Sequence, residues 1–138
     1  MKIDHIGIAV RSIEAAVEIW QEAFGYEPMT EVVENSRERV KVQFLKKSDS
    51  ITIKLIEPLD EKSVVFAAIK NGGGCLHHLC FRCDNLEESL QFLRGKGCRI
   101  LEEPRPGEAF ENEDIAFVYA KMGLNVELIE TDKKARLR

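Results

Sequence analysis

Apolar and polar residues alternate over residues 2–10, with Ile6, Ile8 and Val10 on one face and His5, Gly7 and Ala9 on the other. That period of two predicts a strand. Ser12 then stands as an N-cap before apolar residues at helical spacing, Ile13, Ala16, Val17, Trp20 and Phe24, and Gly25 ends the run. This helix lies on the face of Ile6, Ile8 and Val10. Extended runs follow at 29–34 and 39–46, with Asn35-Ser36 as the turn, and a third strand covers 51–57 until Pro58 closes it. The first unit therefore reads β-α-β-β-β.

The same pattern returns further along. His5 and His78 are offset by 73 residues (78 − 5 = 73), and that offset lays Val42-Gln43-Phe44-Leu45 on Ile115-Ala116-Phe117-Val118. It also lays Ile53-Lys54-Leu55-Ile56-Glu57 on Val126-Glu127-Leu128-Ile129-Glu130. One register across three segments marks a tandem repeat. The second unit has a strand at 76–83, Asn85 as N-cap with Glu88 at capping-box spacing, and a helix carrying Leu86, Leu90 and Leu93 that ends near Gly95-Lys96-Gly97. Strands follow at 98–102, 114–120 and 124–130, with Pro104-Arg105-Pro106-Gly107 as a loop. A short helix over 62–71 and the glycines through residue 74 link the units. The predicted fold is α+β, a single domain of 1–138: unit one 1–61, linker 62–74, unit two 75–131 and a basic, frayed tail 132–138.

If each helix covers one sheet face, the other face is free. His5 and His78 lie on it, and Lys54 and Glu127 join them from the last strand of each unit, since both alternate with buried-type neighbours. Four polar residues thus share equivalent points on a concave surface. By the same register His77 matches Asp4 and is expected to point away, while Arg82 shares the face of His78. A lone strand histidine is usually a packed residue, but two at repeat-equivalent points with an equivalent glutamate indicate a site. Glu57 and Glu130 are expected to be solvated at strand ends, and Arg37-Glu38-Arg39 to be an exposed charge run.

Composition narrows the function classes. With 44% hydrophobic and 32% charged residues and a net charge of −4, the chain offers no field for nucleic acid or anionic lipid. No apolar run approaches the ~20 residues of a membrane span, and no signal peptide opens the chain, which points to the cytoplasm. Cys80-x-x-Cys83 sits on a strand, where residues three apart face opposite sides and cannot chelate one metal. The cysteines are expected to be buried, reduced thiols. Gly72-Gly73-Gly74 lacks the Lys-Ser/Thr and helix of a phosphate loop. Exposed strand edges favour a homodimer.

The set DHIGIAV before a helix, Leu-Ile-Glu-Pro-Leu, Gly-Gly-Gly-x-x-His-His and the closing Val-Glu-Leu-Ile-Glu resembles the vicinal oxygen chelate superfamily over about residues 2–131. This is the fold of glyoxalase I, methylmalonyl-CoA epimerase, extradiol dioxygenases and the fosfomycin and bleomycin resistance proteins, and the pattern is most similar to the epimerase. The resemblance implies a divalent metal (Zn, Mn, Ni, Co or Fe) on His5, His78 and Glu127. The fourth ligand position falls on Lys54, which as an ammonium has no lone pair for a metal. The second catalytic acid of the epimerases falls near Arg37, where the neighbouring Glu38 is acidic. The implied function is a metal-dependent lyase or isomerase working through an enediolate or enolate of a small anionic carbonyl or thioester substrate. Glu127 and Lys54 would be catalytic, and Lys54 and Arg82 would hold the substrate. Two other readings remain open: a metal-free ligand-binding cup with Lys54 in place of the ion, and an iron(II) dioxygenase.

Overall fold

The computed structural model describes residues 1–138 as one nine-stranded curved sheet with helices packed against it. Unit one comprises β1 (Lys2–Val10), α1 (Ile13–Phe24), β2 (Glu27–Pro28), β3 (Val33–Asn35), β4 (Val40–Lys46) and β5 (Thr52–Pro58). A short helix α2 (Phe66–Ile69) leads to unit two: β6 (Gly74–Arg82), α3 (Leu86–Gly95), β7 (Arg99–Gly107), a 3-10 turn (Glu108–Phe110), β8 (Glu113–Tyr119) and β9 (Asn125–Ile129). The units are built alike. β1 pairs with β5 in parallel and β6 with β9 in parallel, while β4 and β8 add antiparallel to β5 and β9. They join through the antiparallel pair β1–β6, so the two histidine strands are central neighbours in the order β2-β4-β5-β1-β6-β9-β8-β7, with β3 paired to β4.

Alternation decides what each face buries. On the convex side α1 packs Ile13, Ala16, Val17 and Trp20 against Ile6, Ile8, Ile53 and Leu55. α3 packs Leu86, Leu90 and Leu93 against Phe81, Ala116, Val126 and Leu128. The concave side has its own core of Val42, Phe44, Ile56, Cys80, Ile115 and Ile129, closed by Val65 and Ile69 of the linker and Phe110 of the 3-10 turn. Cys80 and Cys83 are buried, belong to different cores and face opposite ways, whereas Cys75 and Cys98 are only half-buried, and all four are free thiols. No helix is long and apolar enough to cross a membrane.

Both helix starts are capped twice over. Ser12 Oγ accepts from Ala15 N and Asn85 Oδ1 from Glu88 N, as the sequence predicts. Glu57, half-buried rather than solvated, and Glu130, exposed as expected, accept the amides of Ile13 (2.8 Å) and Leu86 (2.7 Å) at the helix N-termini. A carboxylate there answers an orphan donor and the positive end of the helix dipole.

Three other expectations need correcting. The linker helix is only Phe66–Ile69, because Asp60 and Ser63 side chains accept the amides of Lys62 and Val65 and hold that stretch in turns. Pro104-Arg105-Pro106-Gly107 belongs to β7, which as an outer strand tolerates proline where no partner needs a donor. The tail is not frayed. Ala135 N donates to Ala109 O, Glu31 N to Arg136 O and Arg138 N to Met29 O, so residues 135–138 strap unit one to the 3-10 turn.

Candidate functional site

The site forms because β1 and β6 carry matching irregularities. Pairing skips Asp4 between Ile3/Phe81 and His5/Cys80, and skips His77 between Gly7/His78 and Ile8/Leu76. Each skip is a β-bulge, which leaves one extra residue unpaired and re-aims the side chain beside it. Asp4 and His77 are repeat-equivalent, and each now holds the histidine that follows it. His5 Nδ1 donates to Asp4 Oδ2 at 2.7 Å, and Nδ1 of His77 and Nδ1 of His78 lie 2.8 Å apart. His77 therefore does not point away as strict alternation predicts.

A carboxylate can only accept, so His5 carries its proton on Nδ1 and in the neutral ring turns an acceptor Nε2 into the cup. There Nε2 of His5, Nε2 of His78 and Oε1 of Glu127 converge, at 3.3 Å for the two nitrogens and at 3.0 and 3.4 Å from the carboxylate. Neighbouring ligand atoms around an ion with bonds of about 2.0–2.2 Å stand roughly 2.8–3.1 Å apart in an octahedral shell and roughly 3.3–3.6 Å apart in a tetrahedral one, which brackets these distances. Glu127 Oε1 is also buried without a hydrogen-bond partner. An unspent anionic oxygen against two ring nitrogens is the arrangement a cation would complete.

Sequence and packing fix the rings. Phe44 and its repeat-equivalent Phe117 meet His5 and His78 edge-on, at 5.2 and 5.6 Å between centroids, and Phe110 stacks on His5 at 6.0 Å. Gly7 faces His78 across the β1–β6 pair, and a Cβ there would fall 2.3 Å from the imidazole Cε1. Only glycine leaves the ring room.

Two buried ion pairs flank the imidazoles. Lys54 Nζ lies 3.5 Å from Glu127 Oε2, at the end of the site nearest β5. At the other end Lys134, from the tail, lies 3.2 Å from Asp4 Oδ2. All these groups are withdrawn from water: His5 and Glu127 are 0% exposed, His78 2%, Lys134 4% and Lys54 6%. Burial opposes ionisation of Glu127, but the charge of Lys54, helped by the adjoining imidazoles, outweighs it and holds the carboxyl well below its usual range. Asp4 behaves likewise, burial being overcome by His5 and Lys134. Burial lowers His78 to about 3, so its ring is neutral at pH 7. Burial, then the Glu127 charge, push the Cys80 thiol well up, which removes it as a thiolate ligand.

Lys54, His77, His78 and Glu127 border a narrow inner cavity of about 40 Å³ whose walls are Val42, Ile56, Val65, Ile115 and Phe117. It opens past Glu38, His77 and Phe117 into a vestibule of about 260 Å³ between Val64, Leu101 and Glu102. Glu38 is no part of an exposed run. Arg105 of β7 ion-pairs with it and with Glu102 (2.6 Å) across the mouth. Arg82 is not brought here. It is exposed at the end of β6 and borders a separate cleft of about 560 Å³ with Lys2, Asp84 and Glu130. Alternation gives a face but not a height, and four residues of strand separate Arg82 from His78 by about 13 Å.

The structure brings together His5, His78, Lys54 and Glu127, the four residues the sequence offset singles out, and adds Asp4, His77 and Lys134, which the sequence reading leaves aside, together with Glu38, which it names only beside the resemblance. Asp4 and His77 had a signal, since the offset of 73 pairs them, but alternation argued against them. Lys134 had none.

The fold recurs in known proteins. The chain is 35% identical over 133 residues to the uncharacterized protein YqjC of Bacillus subtilis, covering 94% of this chain and 91% of that one. The crystal structure of methylmalonyl-CoA epimerase from Mycobacterium tuberculosis superposes with a TM-score of 0.82 at 30% identity, covering 93% of this chain and 86% of the other. A methylmalonyl-CoA epimerase solved in complex with methylmalonyl-CoA and NH4+ does so with a TM-score of 0.82 at 30% identity, covering 96% of each chain. The similarity runs through both repeats, and residues 4–117, which span His5, Lys54 and His78, match one family. With its paired units, shared curved sheet and central histidine strands, the chain belongs to the Glyoxalase/Bleomycin resistance protein/Dioxygenase superfamily.

Proposed function

We propose that this protein is a metal-dependent isomerase or lyase of the epimerase type, which removes and returns the proton beside the carbonyl of a small anionic carbonyl or thioester substrate. The observation that carries the reading is the convergence of His5 Nε2, His78 Nε2 and the unpartnered Glu127 Oε1 in a buried cup. These three residues would hold a divalent ion, whose contribution is Lewis-acid stabilisation of charge developing on a carbonyl oxygen. Asp4 and His77 orient the two imidazoles. Lys54 supplies an ammonium for a substrate carboxylate. Glu38 and Glu127, both on the cavity wall, are the carboxylates in reach of the proton, and Arg105 keeps Glu38 at the mouth. The apolar walls exclude water from the reacting carbon. An inner space of about 40 Å³ admits little more than the reacting atoms, so a bulky thioester carrier would lie along the vestibule. Because the site draws on both units and its Asp4 is paired by the tail, residues 1–138 act as one catalytic unit.

One observation favours a second reading. Lys54 already sets an ammonium beside Glu127, and a related epimerase was solved with NH4+. In that case the cup is metal-free and only binds its ligand. Deuterium uptake at the α-carbon of methylmalonyl-CoA in D2O separates the two. Exchange that needs added Mn2+ and stops with chelator supports the isomerase. Ligand binding with no exchange at any metal concentration overturns it in favour of the metal-free cup.

A further inference from the structure

Lys54 changes what the cup asks of its ligands. The innermost charges are Lys54, Lys134, Asp4 and Glu127, which cancel in pairs at 3.5 and 3.2 Å, and Glu38 at the mouth is paired with Arg105. Metal binding requires both imidazoles neutral. A divalent ion added to the triad would therefore leave the cup with two uncompensated positive charges, beside an ammonium that cannot withdraw. Lys54 is 6% exposed and packed over Phe110 and Phe44, with Nζ 5.0 and 5.7 Å from the ring centroids. Its single side-chain partner is Glu127, so two of its three N–H donors are unspent beside the inner cavity. Of the other wall residues Val42, Ile56, Val65, Ile115 and Phe117 are apolar, Asn35 and His77 carry no fixed charge and Glu38 is anionic, so Lys54 is the one fixed positive charge on the wall. Buried charge without a counter-charge is strongly disfavoured in such surroundings.

We propose that the cup takes up a divalent cation and a dianionic ligand as a coupled pair, each weak alone, with Lys54 as the residue that enforces the coupling. The proposal rests on the metal reading above and deepens it by naming the ligand's charge. A ligand with two negative charges restores neutrality, and a monoanion does not. When the α-proton of a carbon acid with one fixed carboxylate passes to Glu38, the total charge of the site is unchanged, but a second negative charge appears on the ligand between the ion and Lys54 while the mouth beside Arg105 loses one. The cup then favours the deprotonated species over the substrate that entered.

Mn2+ binding to chelator-treated protein, read from the electron paramagnetic resonance of the free ion, tests this with malonate as dianion and acetate as monoanion. Malonate is expected to tighten Mn2+ binding on the order of 100-fold, as one extra charge at close range allows, while acetate changes it only a few-fold. In Lys54→Gln, Mn2+ alone should bind on the order of 100-fold tighter than in the wild type, with most of the malonate effect gone. Lys54→Arg retains the charge and should retain the coupling. Tight Mn2+ binding by the wild type with no response to malonate overturns the coupling and leaves the metal reading intact. Malonate binding with no Mn2+ bound under any condition overturns both.

Discussion

Lys134→Met removes one charge from the back of the site and leaves Asp4 buried. Unit charges 3.2 Å apart attract by about 5 kcal/mol at an effective dielectric constant of about 20. Solvation of both groups in the unfolded chain offsets part of this, whereas deleting one partner of a buried pair costs about 3–5 kcal/mol. We take about 3 kcal/mol as the expected loss, since His5 still donates to the carboxylate. In a chain of this length that lowers Tm by roughly 10 °C. Urea unfolding of metal-free protein at pH 7 measures it directly. The double variant Asp4→Asn/Lys134→Met should recover most of the loss, because no buried charge then lacks a partner. A Lys134→Met variant within about 0.5 kcal/mol of the wild type would mean that the lysine is solvated, and the packed tail would then be refuted.

Three more outcomes follow from the geometry. Gly7→Ala forces a methyl into the His78 ring, and a loss of about 2–4 kcal/mol together with weakened metal retention is expected from denaturation and mass spectrometry. Glu57→Gln and Glu130→Gln each weaken a helix start by about 0.5–1 kcal/mol, and because α1 and α3 sit on separate cores the two losses should add in a double variant. In metal-free protein, His78 has a native pKa of about 3 against 6.5 for the free side chain, so the unfolded chain takes up a proton that the native state refuses. Stability should therefore fall as pH drops from about 6.5 towards 3, by up to about 1.4 kcal/mol per unit from this group. Asp4 and Glu127, whose native pKa values are lowered, add a loss of the same sign at more acid pH. His78→Asn should flatten the upper part of the curve. An unchanged slope would place that ring in water.

The repeat made most of the fold legible. One offset paired β1 with β6, β4 with β8 and β5 with β9, and carried His5, His78, Lys54, Glu127, Phe44 and Phe117 to equivalent places. Strict alternation then misjudged two kinds of residue. At a bulge the period of two is broken, which is why His77 came inward. Along a strand the period says nothing of depth, which is why Arg82, assigned to the right face, stands in another cleft. Lys134 was out of reach for a different reason. Its burial depends on how residues 135–138 cross Met29, Glu31 and Ala109, contacts between distant segments that no local pattern encodes.

The opposition of Lys54 and Glu127 bears on how such a site can arise. The two residues occupy the same position in the two repeats and meet 3.5 Å apart across the approximate twofold axis. In an assembly of two identical copies that axis would be exact, and each residue would face itself. A pair of first units would press two ammonium groups together, and a pair of second units two carboxylates. An ammonium can be set against a carboxylate there only when the halves differ, as they are free to do once joined in one chain. The covalent link thus permits a broken symmetry at the centre of the cup that no homodimer of half-length chains could hold.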